Sequence, residues 1–297
     1  MVLRQTERVA TRKECIDRLP SGDAVARMLA LQMAAVRAVE TAVPQIEGAA
    51  ACVAETIRKG GRLNYVAAGS SALMALADGS ELPGTFGIAQ DQIRVFMAGG
   101  VPVDAVMPGE TEDDTSETDA IIAGLGKSDL VFALSASGST PYPCAIAQQA
   151  RGVKVISIAN TDDSPLLRLA DVAIYLPTPS EALAGSTRLG AGTAQKIALN
   201  IISTLAGVQL GHVYNGMMVN LRADNTKLRA RAARIVSQIT GVTPEKAERC
   251  LSAAQHETKL AVLLATGCDA DIAKDLLGQN MGHLGPCLAT IAAMKPE

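Results

Sequence analysis

Five short apolar runs, each followed by a stretch with helical periodicity, constrain the fold of this chain most. The runs cover residues 63–67, 93–98, 130–134, 153–158 and 172–176. Their apolar residues are continuous rather than alternating, which is typical of strands buried on both faces of a parallel sheet. The segments between the runs are long enough for crossover helices. The sequence therefore predicts an α/β fold in three layers, α/β/α, with a parallel sheet in the middle.

The composition favours a small-molecule ligand over a macromolecular one. Aromatic residues make up 2% of the 297 residues and tryptophan is absent, so nucleobases would find few side chains on which to stack. The net charge of −3 is unfavourable for binding nucleic acid or an anionic membrane surface. The N-terminal residues lack the apolar core of a secretion signal, and no uncharged stretch is long enough to span a bilayer. We expect a cytoplasmic protein with no nucleic-acid or membrane partner.

Helical patterns lie on both sides of the strand-rich region. Residues 23–59 carry apolar side chains at helical spacing and predict one or two helices, and residues 193–210 predict a buried apolar helix. Near the C-terminus, Thr243 and Pro244 are typical of an N-cap and a first helical residue, and two or three short helices follow. The expected division is N-terminal helices in 1–60, a central ligand-binding domain in 61–228 and a helical extension in 229–297.

Cysteine and histidine spacing gives no sign of a metal site or a disulfide framework. The six cysteines contain no Cys-x-x-Cys pair, which indicates reduced thiols. No zinc pattern is matched by Cys250, His256, Cys268, His283 and Cys287. His212, like the other two histidines, has no motif around it, and we expect structural or surface roles for all three. The chain is expected to need no metal and no cofactor.

Two segments rich in hydroxyl side chains follow two of the predicted strands. Ser135, Ser137, Gly138 and Thr140 come directly after the run that ends at residue 134, and Gly69-Ser70-Ser71 follows the first run. The carboxyl ends of parallel strands are where α/β proteins bind ligands, and hydroxyl groups with a helix N-terminus suit an anion such as phosphate. A plain strand-to-helix turn with capping residues is the alternative for either loop taken alone.

These residues resemble the sugar isomerase (SIS) domains that bind phosphosugars, whose Ser-x-Ser-Gly-x-Thr loop is matched at 135–140. Within that family the chain is similar to one branch, the N-acetylmuramic acid 6-phosphate etherases. The similarity extends over most of the chain and is carried by residues 61–66, 78–86, 98–100, 112–114, 185–188, 191–196 and 225–228. The run Ala-Gly-Thr-Ala-Gln-Lys at 191–196 is its most specific piece.

The resemblance implies an etherase reaction on a 6-phosphorylated amino sugar, with no metal. The lactyl ether would be cleaved by elimination followed by addition of water, giving N-acetylglucosamine 6-phosphate and D-lactate. This chemistry asks for a base beside the open-chain aldehyde and a protonated carboxyl group that assists the leaving oxygen. The matching positions are Glu81 as the acid and Glu112 as the base.

The local sequence supports the two carboxylates unequally. Glu81 lies among uncharged residues with Asp78 as its one charged neighbour, which suits enclosure in the protein; a capping or solvent-facing role is the alternative. Glu112 belongs to an acidic cluster of the kind usually found on a solvated face. Glu110 is a rival for its role, although the following Asp113-Asp114 favours Glu112.

The remaining residues implied by the resemblance would bind the substrate. The phosphate would be held by Ser70, Ser71, Ser135, Ser137, Gly138 and Thr140. The rest of the substrate, or the loop beside it, would be served by Ser186, Thr187, Arg188 and Lys196. For the last two, a surface lysine and an arginine that braces backbone carbonyls are the alternatives.

The chain also departs from the family pattern at its ligand loops. Ala72 and Leu73 stand where the etherases have glycine and arginine, Ser139 replaces an arginine, Gly190 replaces a lysine, and Gly84 replaces the second proline of a Pro-Pro pair. Three cations are therefore missing, which weakens anion binding and leaves room for a divergent substrate.

Two rival functions stay open at this point. A phosphosugar sensor without catalysis would need the same loops but not two carboxylates, and an aldose–ketose phosphosugar isomerase would need a base but no leaving-group acid. The resemblance also implies a homodimer with active sites shared between subunits. The Ala-rich apolar helices predicted at 23–59 and 193–210 could form its interface or serve as ordinary core.

Overall fold

The computed structural model describes residues 5–9, 11, 15–104, 106–107, 111–223 and 225–294. The chain packs into two compact units. The first unit comprises Met1–Gly79 and Asp91–Ser203, and the second comprises Ser80–Gln90 and Thr204–Glu297. The three-part division expected from the sequence stays a prediction.

The first unit is built on a five-stranded parallel sheet with the strand order β2-β1-β3-β4-β5. The strands are β1 (Leu63–Ala67), β2 (Ile93–Met97), β3 (Leu130–Ser135), β4 (Lys154–Ala159) and β5 (Val172–Tyr175). Every residue of β1 and β3 is buried, as continuous apolar runs require. The expected α/β/α architecture with a parallel sheet is confirmed.

Helices cover both faces of the sheet. They are α1 (Ser21–Ala38), α2 (Val43–Arg58), α3 (Gly69–Phe86), α4 (Thr118–Ala123), α5 (Pro141–Gln149), α6 (Pro165–Arg168) and α7 (Gly190–Gln209). Val66, Val131 and Ala133 point to the face covered by α5, where Tyr142 and Ile146 complete an apolar cluster. Helix α2 contacts β1, β3 and β5. The segment predicted to hold one or two helices, 23–59, forms two, α1 and α2.

The core of the sheet is filled mainly by small and branched aliphatic side chains. Tyr65 and Phe132, on the neighbouring strands β1 and β3, form a stacked pair with ring centroids 5.1 Å apart. Both rings are almost fully buried. These two residues are among the seven aromatic residues of the chain, and aromatic rings bury more apolar surface than aliphatic side chains do.

Arg62 and Asp129 fasten the amino ends of β1 and β3. Asp129 is 5% exposed and accepts hydrogen bonds from the Arg62 Nε (3.0 Å), the Arg62 Nη2 (2.7 Å) and two backbone amides. Burial raises the pKa of the Asp129 carboxyl, but the hydrogen bonds from Arg62 and Gly126 outweigh burial and hold the pKa below its usual value. The pair lies at the amino ends of these strands, whereas the hydroxyl-rich segments follow their carboxyl ends.

The second unit contains a short hairpin and a group of helices. The hairpin pairs β6 (Val213–Tyr214) with β7 (Met217–Met218). The helices are α8 (Thr226–Thr240), α9 (Pro244–Ala253), α10 (Thr258–Ala265), α11 (Ala270–Gln279) and α12 (Leu284–Met294). Thr243 caps α9 and Pro244 is its first residue, as predicted. Within the described ranges, no helix is long and apolar enough to cross a membrane.

Candidate functional site

The two hydroxyl-rich segments leave adjacent strands at the same edge of the sheet. β1 pairs with β2 on one side and with β3 on the other, so the direction of chain winding changes between β1 and β3. Open α/β sheets bind ligands at such a switch point, outside the carboxyl ends of the strands. The segment after Ala67 and the segment after Leu134 both begin there, since these two residues are partners in the register.

The segment from Ser135 to Thr140 is held by hydrogen bonds between its own hydroxyl groups. The Ser135 Oγ lies 2.7 Å from the Thr140 Oγ1 and 3.2 Å from the Ser137 Oγ. The Ser135 Oγ also accepts from the Gly138 amide at 3.0 Å, and the Ser137 Oγ accepts from the Ser139 amide at 3.3 Å. The result is a preorganised cluster of hydroxyl groups, in which Ser137 and Thr140 remain partly exposed.

Gly138 occupies a position that other residues would strain. Its φ is +63°, and a Cβ on it would collide with the side chain of Ser164 and approach the Ala159 Cβ to 3.1 Å. A glycine is therefore required by both the backbone conformation and the space available. The tight turn at Gly138 lies between Ser137 and Thr140, whose hydroxyl groups both approach the Ser135 Oγ.

The helix that follows contributes fewer donors than the sequence led us to expect. The first turn of α5 contains Pro141 and Pro143, which have no amide hydrogen. The Tyr142 amide between them donates to the backbone oxygen of Glu112 at 3.3 Å. The expectation of free amide groups at this helix N-terminus is thus wrong in the first turn, and the hydroxyl groups and the loop amides are the donors that remain.

The first hydroxyl segment is part of a helix rather than a loop. α3 begins at Gly69, so Ser70 and Ser71 lie in its first turn, and a single residue, Ala68, connects it to β1. Ser71 is 7% exposed and Ser70 is half-buried. The predicted loop is corrected accordingly; these serines stand at the positive end of a helix, a position suited to an anion.

Glu112 lies against both of these segments. Its backbone oxygen accepts the hydrogen bond from Tyr142, and a Cβ on Gly69 would lie 2.5 Å from its Oε1. The carboxylate therefore rests directly on the glycine that opens α3, and the φ of +53° at this glycine fits the close approach. The side chain is otherwise exposed. The structure brings Glu112 together with both hydroxyl segments, whereas its rival Glu110 lies outside the described residues.

Glu81 lies on α3 and is exposed in the single chain. The expectation that its uncharged neighbours would enclose it is wrong, because helical geometry turns Glu81 outward while Leu82 is buried. None of the described residues shields this carboxylate from water.

Residues 186–188 and Lys196 flank the start of α7. The Thr187 backbone oxygen accepts the Gly192 amide at 2.8 Å, and the Ser186 amide donates to the Leu183 oxygen at 2.9 Å. In the part of the chain that the structure describes, Arg188 and Lys196 are exposed and make no hydrogen bond or ion pair. Arg188 therefore does not brace the loop here, and both cations are available to a ligand.

Glu181 is a site-adjacent residue that the sequence reasoning missed. It is 4% exposed and accepts hydrogen bonds from the Gly190 amide (2.8 Å) and the Ala191 amide (2.9 Å) at the start of α7. Burial raises the pKa of its carboxyl, and these two amide bonds act in the opposite direction. The one sign of this residue in the sequence is a carboxylate nine residues before a helix that begins with small residues. Glu181 fixes the helix that carries Lys196.

Two side chains of the run 191–196 make hydrogen bonds to other segments. Gln195 is fully buried and donates from Nε2 to the Asn160 Oδ1 at 2.9 Å. The Asn160 backbone N–H in turn donates to the Ala136 backbone oxygen inside the hydroxyl segment. Thr193 donates to Gln32 at 2.6 Å. The most specific motif of the resemblance therefore supports the hydroxyl-rich segment 135–140 through hydrogen bonds.

Asp78 is a second buried carboxylate that the sequence reasoning did not single out. It is 3% exposed and accepts hydrogen bonds from Tyr65 (3.0 Å), Asn200 (2.8 Å) and Ser203 (2.9 Å). Burial raises the pKa of its carboxyl; the three hydrogen bonds and the nearby charge of Lys196 lower it in part. Asp78 thus links β1, α3 and α7 beside the candidate site.

The departures from the family pattern have local explanations in two cases. Ser139 donates from its hydroxyl to the Ser137 Oγ at 3.3 Å, so a neutral hydrogen bond replaces a fixed charge. A side chain at Gly190 would begin 3.1 Å from the Glu181 Oε2, so glycine leaves space for that carboxylate. Ala72 is fully buried within α3 and Leu73 is half-buried. Among the described residues, no group of three or more His, Cys, Asp or Glu side chains could hold a metal ion.

The known proteins with similar sequences that are described below carry the same name. The SIS domain family matches residues 105–205. The N-acetylmuramic acid 6-phosphate etherase of Mycolicibacterium smegmatis is 42% identical over 90% of this chain and 91% of its own length. The enzyme of the same name from Salmonella typhimurium is 38% identical over 92% of this chain and 94% of its own length.

A solved structure shares the fold. A phosphosugar isomerase involved in capsule formation, from Bacteroides fragilis, superposes with a TM-score of 0.52 at 20% identity, over 66% of this chain and 95% of the other. At this identity the likeness concerns the fold alone, whereas the sequence relatives match nearly the whole chain. This chain therefore belongs to the N-acetylmuramic acid 6-phosphate etherase family.

Proposed function

We propose that the protein is a carbon–oxygen lyase that cleaves the D-lactyl ether of N-acetylmuramic acid 6-phosphate. The products are N-acetylglucosamine 6-phosphate and D-lactate. The relatives that carry this name match about nine-tenths of the chain. The observation that carries the proposal is the position of Glu112, whose carboxylate rests on Gly69 and whose backbone is bonded to the start of α5. A base at that place would face a sugar whose phosphate occupies the hydroxyl segments.

The reaction divides into an elimination and a hydration. Glu112 removes the proton at C2 of the open-chain sugar, the C3–O bond to lactate breaks, and a C2=C3 double bond forms beside the aldehyde. Glu81 delivers a proton to the departing lactate oxygen and then activates water, which adds its hydroxyl to C3 as a proton returns to C2. Each proton transfer of this kind contributes roughly 10²- to 10⁴-fold to the rate.

Binding is assigned to the hydroxyl-rich segments and the two free cations. Ser70, Ser71, Ser135, Ser137, Gly138 and Thr140 take the phosphate through hydroxyl and amide donors, as the clustered hydroxyl groups at 135–140 support. Ser186, Thr187, Arg188 and Lys196 serve the rest of the substrate. The exposed, unbonded state of Arg188 and Lys196 in the described part of the chain supports this assignment.

The proposal includes a homodimer in which a second copy completes each site. A general acid must be kept from full solvation, and Glu81 is exposed in the single chain. The outer face of α1 also leaves apolar side chains uncovered, with Val25 60%, Leu29 59% and Met33 51% exposed. Their spacing of four residues forms one stripe, of the kind that an isologous contact buries. The cytoplasmic location expected from the sequence is part of the same proposal.

A coupled D-lactate assay on N-acetylmuramic acid 6-phosphate tests the function and both roles. Wild-type protein should release lactate, and Glu81→Gln and Glu112→Gln should each lose at least about 100-fold in rate. Glu117→Gln, which neutralises an exposed carboxylate of the same acidic cluster, is the matched control and should keep full activity. Glu110→Gln separates the rival residue. Circular dichroism confirms that each variant is folded.

Deuterium exchange distinguishes the base from the acid. In D₂O, Glu81→Gln should still exchange the C2 proton of unreacted substrate because its base is intact, whereas Glu112→Gln should not. Exchange lost in Glu81→Gln and kept in Glu112→Gln would reverse the assignment. No lactate release from the wild type would contradict the etherase reaction itself.

A phosphosugar sensor is the second candidate, favoured by the uncharged residues Leu73, Ser139 and Gly190 at positions where the family has cations. A protein of this kind would gain thermal stability from phosphosugars without releasing lactate. An isomerase would instead convert an aldose phosphate to a ketose phosphate, which product analysis detects.

A further inference from the structure

A cleft in the second unit, lined by apolar side chains and a few charged ones, has the features of an anion-binding site. Its volume is about 710 Å³, which falls in the range of small-molecule sites. The walls come from three segments of that unit, residues 87–89, residues 220–223 and the start of α10, together with Leu277 and Gly282. Its described lining residues include none of the hydroxyl segments.

The N-terminus of α10 faces the cleft with its donors unused. Glu257 stands at the N-cap position but its side chain makes no capping bond. In the described part of the chain, the amides of Thr258, Lys259 and Leu260 have no acceptor, and the Thr258 hydroxyl is buried without a partner. A helix start with three free amides carries a partial positive charge.

Lys259 adds a full positive charge at the same place. The side chain is 9% exposed, and within the described ranges no hydrogen bond or ion pair reaches its ammonium group. A Cβ on Gly282 would lie 3.1 Å from the Lys259 Nζ, so the glycine makes room for the amine. Burial lowers the pKa of Lys259 to about 8, and the nearby Cys287 thiol acts in the opposite direction. A buried ammonium without a counter-charge is costly unless a ligand supplies the charge.

The other charged groups of the cleft are consistent with an anionic occupant. The Arg222 guanidinium lines it and is exposed, as is the imidazole of His256, and Glu257 is the one carboxylate among the lining residues that the structure describes. Apolar walls are supplied by Ile88, Leu221 and Leu277. A guanidinium, an ammonium and a helix start therefore line the same cleft, together with apolar side chains.

We propose that this cleft binds a small phosphate monoester, with the phosphate at the N-terminus of α10 against Lys259 and the organic part on the apolar wall. A phosphate offers three terminal oxygens, which matches a helix start, an ammonium and a nearby guanidinium better than a carboxylate does. The residues described as lining it include none of those assigned to the substrate in the proposed function.

The cleft also touches the segment that carries Glu81. Residues 87–89, which form one wall, follow Glu81 closely in the sequence. Two hydrogen bonds join residues 84–86 to residues 220–222. The Asn220 Nδ2 donates to the Phe86 backbone oxygen at 2.7 Å, and the Arg222 backbone amide donates to the Gly84 oxygen at 3.4 Å. A ligand that contacts both walls would stabilise this arrangement. An effect on lactate release rests on the proposed function, whereas binding to the cleft does not.

Isothermal titration with inorganic phosphate on the full-length protein tests the site. Wild-type protein should bind phosphate at the cleft and at the hydroxyl segment. Lys259→Met should lose the cleft site and keep the other, whereas Ser137→Ala should weaken the other and keep the cleft. Lys246→Met, which removes an exposed lysine of α9, is the matched control and should bind as the wild type does. Equal stoichiometry and affinity in Lys259→Met and wild type would overturn the proposal.

A tungstate soak of wild-type crystals gives a test that depends on no variant. An anomalous peak within hydrogen-bond distance of the Lys259 Nζ is expected, and a cleft without a peak while the hydroxyl segment is occupied would overturn the proposal. Loss of binding at the hydroxyl segment alone would count against the proposed function and leave the cleft site intact.

Discussion

Replacing Gly138 by alanine introduces both backbone strain and steric conflict into the segment 135–140. The residue has a φ of +63°, and a Cβ would collide with the Ser164 side chain and come within 3.1 Å of the Ala159 Cβ. An alanine in the left-handed region costs about 1–2 kcal/mol, and overpacking of a filled site costs about 1–3 kcal/mol. We therefore expect Gly138→Ala to lower the free energy of unfolding by about 2–5 kcal/mol.

Two further variants divide this loss into its parts. Gly152 has a similar φ of +79°, but a Cβ added there would meet no atom within 4 Å, so Gly152→Ala should cost about 1–2 kcal/mol from strain alone. Ser164→Gly in the Gly138→Ala background removes the atoms in conflict and should recover much of the difference. The Ser164 hydroxyl has no partner among the described residues, so its removal forfeits no hydrogen bond there.

Urea unfolding curves measure these differences, with the slope of each curve as a check that the same surface is exposed. The reasoning is refuted if Gly138→Ala is no more destabilising than Gly152→Ala, or if Ser164→Gly recovers nothing. Phosphate titration of the same variants should show weaker binding in Gly138→Ala and unchanged binding in Gly152→Ala.

Three other outcomes follow from buried charged groups. The pKa of Lys259 is lowered from 10.5 to about 8, so between these two pH values the unfolded chain binds more protons than the folded chain. The free energy of unfolding should therefore rise with pH across this window, by up to about 3 kcal/mol. Urea unfolding curves should show this rise in the wild type and not in Lys259→Met. Asp129→Asn should lower the free energy of unfolding by about 2–4 kcal/mol at pH 7. Because the pKa of Asp129 is lowered, the stabilisation by its carboxylate is fully present above the ordinary pKa of 3.8. The difference in stability between variant and wild type should therefore disappear as the pH falls through the lowered pKa. Asp78→Ala should cost about 2–4 kcal/mol by urea unfolding, because it leaves the buried Tyr65 hydroxyl without its acceptor, while Asp78→Asn, which keeps one carbonyl oxygen, should cost less.

The sheet could be predicted from the sequence because its strands are buried on both faces. A continuous apolar run such as 130–134 is compatible with few other environments, and the structure places β3 at Leu130–Ser135. The edges of the elements were harder to predict. Ser70 and Ser71 follow a strand as loop residues often do, but α3 begins at once at Gly69, and only the backbone geometry of that glycine shows it.

The candidate site was predictable in part for a similar reason. Ser135, Ser137 and Thr140 sit in a dense local motif, so their clustering followed from the sequence, and Glu112 was found through the family resemblance. The environment of Glu81 was not predictable, because uncharged neighbours in sequence point to other sides of a helix. Glu181, Asp78 and Lys259 were missed because their burial depends on contacts with residues far away in the chain, such as Asn200 for Asp78.

The hydrogen bond from the Tyr142 amide to the Glu112 backbone oxygen has a kinetic consequence under the proposed function. It connects Glu112, the base of that proposal, to the first turn of α5, which follows the segment 135–140. Binding energy from the non-reacting phosphate is thereby spent on holding the base in place, and interactions of this kind raise kcat rather than affinity alone. A sugar without its phosphate would meet a less constrained base, so discrimination against it would be expressed chiefly in turnover.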